Sequence, residues 1–109
     1  MGWKIIFAPQ ALEELEQIVQ FIAQDDPEAA IRFGDYLVDR AESLTSFPDL
    51  GTPYPKRANV RRLLCKSYYI YYRVDRKEQV IEIMDYWHSA RPRDMSVLAQ
   101  SYNCRAHLN

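Results

Sequence analysis

Tyr68-Tyr69-Ile70-Tyr71-Tyr72-Arg73-Val74 is the stretch on which the reading of this chain turns. Aromatic and β-branched side chains favour a pleated strand, and a strand sends successive side chains to opposite faces. Tyr68, Ile70, Tyr72 and Val74 therefore share one face, which with its Ile and Val reads as core. Tyr69, Tyr71 and Arg73 fall on the other and are expected to be displayed. The same period of two runs through Val60–Cys65 before it and Val80–Trp87 after it. Lys66-Ser67 and the stretch Asp75 to Gln79 separate the three runs as turns, which predicts an antiparallel meander.

Upstream the period changes. Trp3-Lys4-Ile5-Ile6-Phe7 reads as a short first strand. From Pro9 to Gln24 the apolar residues Leu12, Leu15, Ile18, Val19 and Ile22 recur at helical spacing, with Glu13, Glu14, Glu16, Gln17 and Gln20 assigned to the solvated face. Asp26-Pro27 restarts the chain, with Asp26 as cap and Pro27 in the first turn of a second helix. Ala30, Phe33, Leu37, Ala41, Leu44 and Phe47 mark its buried stripe, about six turns long, and Pro48 ends it. So short a link between two helices predicts an antiparallel helical hairpin. Pro48 to Pro55, with three prolines and Gly51, reads as a rigid loop. The expected fold is α+β: an N-terminal strand, a helical hairpin, then a three-stranded antiparallel meander, all strands in one twisted sheet. One sheet face packs on the hairpin and the other is left open. A short helix through Met95, Leu98 and Ala99 is expected after the last strand.

Composition narrows the function classes. The chain has 109 residues, 48% hydrophobic and 27% charged, as expected of one ordinary globular domain. No apolar run approaches the roughly 18 residues of a membrane span, and the N-terminus lacks the pattern of a signal peptide, so a cytoplasmic protein is expected. The net charge of −1 conceals an asymmetry. Residues 1–50 carry three Lys and Arg against ten Asp and Glu, whereas residues 51–109 carry eleven against five. The second half is suited to an anionic partner at short range. With three glycines there is no phosphate-binding loop, and no Gly-x-Ser-x-Gly elbow is present. Cys65, Cys104, His88 and His107 lack the paired spacing of a zinc site, so neither a metal nor another cofactor is expected.

What remains is a surface. Tyr69 and Tyr71 beside Arg61, Arg62, Arg73 and Arg91 form a set that stacks on bases and binds phosphates, or anchors a protein interface. His88, three residues before Arg91, is a candidate proton-transfer group if RNA is cleaved, with Arg62 and Arg91 stabilising charge.

Order and spacing together resemble the RelE/ParE toxins of bacterial type II toxin–antitoxin, or plasmid stabilisation, systems. The carrying residues are Ala8-Pro9-Gln10-Ala11, Phe21-Ile22-Ala23, Asp26-Pro27-Glu28-Ala29-Ala30, Pro48-Asp49-Leu50-Gly51, Val60-Arg61-Arg62-Leu63, Tyr68 to Val74 and His88-x-x-Arg91. The resemblance spans residues 3–98 as one toxin domain and leaves 99–109 as a tail. It implies growth inhibition through a macromolecular target, masked by a cognate antitoxin. ParE-like members are described as poisons of DNA gyrase, RelE-like members as messenger-cleaving enzymes of the ribosome. Of the RelE pattern, Arg62 and Arg91 are matched, while Val60, Tyr69 and Val97 stand where two basic residues and a tyrosine are expected. The long hairpin and the Asp-Pro-Glu-Ala-Ala link are more similar to ParE. The expected binding face is Arg61, Arg62, Tyr69, Tyr71, Arg73, His88 and Arg91. The alternatives are a ribosome-dependent nuclease using Arg62, His88 and Arg91, and a degenerate toxin that acts only as an interaction module.

Overall fold

The computed structural model describes residues 2–91. Strand β1 (Lys4–Phe7) leads into helix α1 (Pro9–Ala23) and helix α2 (Pro27–Glu42). A 3₁₀ turn at Ser43–Thr45 follows. Then come β2 (Thr52–Pro53), β3 (Val60–Cys65), β4 (Tyr68–Asp75) and β5 (Val80–His88). The predicted helix through Met95 and Leu98 lies outside the described residues. Among the described residues no helix is long and apolar enough to cross a membrane.

The five strands form one sheet in the order β1-β5-β4-β3-β2. The three long strands are the expected antiparallel meander. The sheet as a whole is mixed, because β1 joins β5 in parallel. A parallel neighbour needs a crossover connection, and here the helical hairpin supplies it, as part of the long excursion that carries the chain across one face of the sheet. Strand β2, two residues long, pairs with β3 at the opposite edge. It interrupts what the prolines of Pro48 to Pro55 suggested was loop alone; edge strands tolerate proline.

Local chemistry explains the helix limits. Pro9 opens α1, and the Asp26 carboxylate accepts the Ala29 N–H at 3.1 Å to cap α2, with Pro27 in its first turn and Glu28 near the positive end of the dipole. Helix α2 ends sooner than its apolar stripe suggests. The Ser43 hydroxyl donates to Arg40 O at 2.6 Å and the Thr45 hydroxyl to Glu42 O at 2.8 Å, so side chains compete for the backbone acceptors and the last turn tightens to 3₁₀. Leu44 still reaches the core, but Phe47 lies beyond the helix and is 63% exposed.

The main core forms where the hairpin lies on the sheet. Ala11 and Ile18 of α1 and Leu37 and Ala41 of α2 meet Leu63, Cys65, Ile70, Tyr72, Ile81, Ile83 and Tyr86. The helices approach closely at Gly34, where an added Cβ would come within 2.9 Å of Val19 Cγ2. Leu12, counted in the α1 stripe, is instead half-exposed at its flank. Glu14, assigned to the solvated face, is buried. Strand β1 stops beside Ile83, so β5 has no strand on that side further along. Glu14 Oε1 takes the place of a strand partner and accepts the Tyr86 N–H at 3.1 Å. A buried carboxylate is tolerated when hydrogen bonds satisfy it.

Burial pushes the acidity of Tyr68, Tyr72 and Tyr86 downward, so their phenols titrate above the ordinary value, Tyr86 by the most. The Cys65 thiol is also raised by burial, against a smaller opposing effect of Arg40. The unfolded chain therefore releases these protons first, and stability that is complete below the ordinary thiol and phenol values is lost as pH rises through the folded ones. The urea midpoint at about pH 11 should lie clearly below that at about pH 8, with native-state phenolate absorbance lagging behind that of the denatured chain. Equal midpoints at the two pH values would contradict this account.

Candidate functional site on the open sheet face

The face of the sheet away from the hairpin carries a second, smaller cluster. Tyr54, Val60, Tyr71 and Trp87 are buried there, with Tyr69 and Met84 packed against them. Its registers follow from the strands: Arg62 stands opposite Tyr71, Leu64 opposite Tyr69, and Tyr69 opposite Trp87. Tyr54 meets the Tyr71 ring edge-on at 5.2 Å, and Tyr69 meets it at 6.0 Å. Such tilted contacts place a positive ring edge against a negative ring face.

Two guanidinium groups rest on these rings. Arg62 Cζ lies 4.5 Å from the Tyr69 ring centroid and 5.5 Å from that of Tyr54, and its Nη1 donates to the Tyr71 hydroxyl at 3.4 Å. The Tyr71 hydrogen bond, with lesser help from the surrounding phenols and against some desolvation, holds the Arg62 charge even more firmly than usual. Arg91 Cζ lies 4.1 Å from the Trp87 ring centroid, while Trp87 Nε1 donates to Arg91 O at 3.1 Å. The rings brace both guanidinium groups, and Arg62 is also partly withdrawn from water, which lowers the entropy lost when a partner binds them. Leu64, 53% exposed, sits beside Tyr69 and adds an apolar contact.

The seven residues expected to form one displayed surface are divided by the sheet. Arg62, Tyr69 and Arg91 belong to this array. Tyr71 shares their face but is only 3% exposed, because Tyr54 covers it from the loop. Arg73 is on the same face at the far end of β4, ion-paired with Glu82. There it borders a separate depression of about 670 Å³ with Arg76 and Lys77, away from the aromatic array. Arg61 pairs with Tyr72 across the strands and reaches the hairpin side, where its Nε donates to Gly51 O at 3.0 Å.

His88 also faces the hairpin side, with its ring edge-on to Tyr68 at 5.0 Å. Its Nδ1 accepts the Ala90 N–H at 3.1 Å, which places the proton of the neutral ring on Nε2. With Phe21, Tyr68 and Arg91 it borders a groove of about 350 Å³ between α1 and the ends of β4 and β5. Phe21 stands 70% exposed at this groove. Arg91, three residues beyond β5, borders both the groove and the open face.

Sequence reading passed over Tyr54, Leu64 and Trp87. Tyr54 lay in a loop with no period to place it. Trp87 is displaced by a bulge: Tyr71 pairs with Asp85 but Tyr72 with Ile83, leaving Met84 between them. Plain alternation from Ile81 and Ile83 would send Trp87 to the core. The extra residue shifts the phase, so Tyr86 and His88 turn inward and Trp87 outward. No Gly or Pro marks the bulge in the sequence. Among the described residues no three His, Cys, Asp or Glu side chains are grouped to hold a metal ion.

The chain belongs to the ParE toxin family of type II toxin–antitoxin systems: the family described as "ParE toxin of type II toxin-antitoxin system, parDE" matches residues 5–93. No curated protein matches it significantly in sequence. Solved structures share the fold at low identity, three of them as follows. The chromosomal ParDE system of P. aeruginosa provides one, with TM-score 0.68, 18% identity, and coverage of 80% of this chain and 96% of that one. The RelBE2 toxin–antitoxin complex from Mycobacterium tuberculosis gives TM-score 0.63 at 20% identity, covering 81% of this chain and 99% of that one. The isolated E. coli RelE toxin gives 0.55 at 12% identity, covering 93% and 96%.

The array also makes a claim about stability. Arg62→Ala should cost about 1–2 kcal/mol in urea unfolding, by loss of its cation–π contacts and the Tyr71 hydrogen bond. Arg62→Lys should recover less than half of that, because a compact ammonium cannot stack on a ring and reach the hydroxyl together. Full recovery by lysine would show that only charge matters at this position.

Proposed function

We propose that this chain is the growth-inhibiting toxin of a type II toxin–antitoxin pair, of the ParE kind. In this reading it acts in the cytoplasm by binding a replication or topology enzyme such as DNA gyrase, and a cognate antitoxin neutralises it. The observation that carries the reading is the open-face array of Arg62 on Tyr69 and Arg91 on Trp87, bordered by exposed Leu64. Arginine, tyrosine and tryptophan on a rigid sheet are the residue types that dominate binding energy at protein interfaces. The antitoxin would lay a helical or extended segment along the groove beside Phe21 and His88, whose polar and apolar walls suit such a segment. Arg91, shared by groove and open face, gives a physical route to neutralisation, since an antitoxin that engages it withdraws it from the target.

A messenger-cleaving role fits these residues less well. Arg62 and His88 project from opposite faces of the sheet, so Arg62, His88 and Arg91 do not converge on one phosphate. Tyr69, where the nuclease pattern has an arginine, serves as the platform under Arg62.

Induced expression without antitoxin in a bacterial host tests the reading. Growth arrest with filamentous cells, disturbed DNA morphology and intact messenger is expected. A paired Arg62→Ala and Arg91→Ala change should relieve the arrest. Rapid translation-dependent messenger cleavage would replace this reading with the nuclease. No arrest would leave an interaction module on the same fold.

A further inference from the structure

Residues 48–59 form a strap that crosses from one face of the sheet to the other, and its two halves are held by unlike means. On the hairpin side it is gripped by polar groups. The Tyr72 hydroxyl donates to Pro48 O and accepts the Gly51 N–H, each at 2.9 Å. Arg61 donates from Nε to Gly51 O at 3.0 Å and from Nη2 to Asp49 O at 3.4 Å. The Asp49 carboxylate lies 3.7 Å from Arg61 and is also paired with Arg76. The seat is narrow: a Cβ on Gly51 would come within 2.6 Å of Arg62 O and 2.8 Å of the Tyr72 hydroxyl.

The strap then passes the sheet edge as β2, with Pro53 opposite Arg61 and Thr52 opposite Arg62. A 2.8 Å hydrogen bond from Tyr54 N–H to Val60 O turns Tyr54 onto the open face, against Tyr71 and Arg62. There Tyr54 is 6% exposed, and its hydroxyl is buried with no hydrogen-bond partner among the described residues. A buried, unsatisfied hydroxyl opposes the position it occupies. Tyr54 is thus held inward by ring packing and by the strap, while its polar end gains hydration if it leaves.

We propose that Tyr72 and Arg61, on the hairpin side, are positioning residues for Arg62 on the open side. They act through the strap: by fixing Pro48, Asp49 and Gly51 they keep Tyr54 in place, and Tyr54 with Tyr69 fixes the direction in which Arg62 is presented. Adjacent residues 61 and 62 thereby do different work across the sheet. The functional part of this inference rests on the reading of the open face as the target surface.

The test is the Nε–Hε resonance of Arg62 in the isotope-labelled full chain, a probe of the ring currents around it. Tyr54→Leu gives the reference shift for an Arg62 without its outer ring. Tyr72→Phe should move the resonance in the same direction by more than its linewidth. Arg61→Gln, which leaves the core intact, should do likewise and keeps the test open if Tyr72→Phe folds poorly. Leu37→Ala, a truncation in the buried core on helix α2, should leave the resonance in place. An unmoved resonance in both Tyr72→Phe and Arg61→Gln would overturn the proposal, as would an equal shift in Leu37→Ala. Both positioning variants should also weaken growth inhibition, in the direction expected of the paired Arg62→Ala and Arg91→Ala change. A moved resonance with undiminished arrest would overturn the functional role given to the open face, while the mechanical coupling would stand.

Discussion

Strand β4 lies in the middle of the sheet, and the alternation of its side chains creates both the core and the site. Ile70 and Tyr72 face the hairpin and are fully buried. Tyr69 and Tyr71 face away and build the aromatic floor under Arg62. A shift of one residue in register would exchange the two sets, placing the arginine platform under the helices and the core residues in water. The buried face makes such a slip expensive, so the stability of the hairpin packing also fixes the orientation of the open-face array. Tyr72 extends this link, since its ring is core and its hydroxyl is the anchor of the strap.

The electrostatic design follows the same division. The first half of the chain carries the acidic excess, and much of it lies on the outer surface of the hairpin, where Glu13, Glu16, Asp25, Asp35 and Asp39 are exposed. The sheet half carries most of the arginines. Several of these are engaged within the protein: Arg73 by Glu82, Arg76 by Asp49, and Arg61 by the strap. Arg62 and Arg91 are held instead by rings, which orient a cation without neutralising it. The part of the positive surface held by rings rather than by acids or backbone carbonyls is therefore smaller than the count of arginines suggests.

Much of this was legible in the sequence. The period-two runs located the meander, Pro9 and Asp26-Pro27 located the helix starts, and the alternation of Tyr68 to Val74 divided core from open face correctly. Three features were not legible. The β5 bulge changes phase at Met84 without a Gly or Pro, so Trp87 was not placed on the open face. Glu14 sits among acids on a polar-looking helix, yet β1 ends early and leaves it a backbone N–H to accept. Tyr54 comes from a proline-rich loop, and only its pairing with Val60 turns it toward Tyr71. Each depends on a contact distant in the chain, which local periodicity does not encode.

Family membership and the geometry of the array together support a molecule that acts by binding. The most direct measurement is DNA supercoiling by purified gyrase in the presence of the purified chain, compared with a folded Arg62→Ala, Arg91→Ala double variant. The account predicts inhibition by the native chain and at least a tenfold weaker effect of the variant, the loss of about 1.4 kcal/mol of binding. Equal inhibition by both would contradict the assignment of the open face. No inhibition by either, at concentrations that saturate a cognate antitoxin, would contradict gyrase as the target.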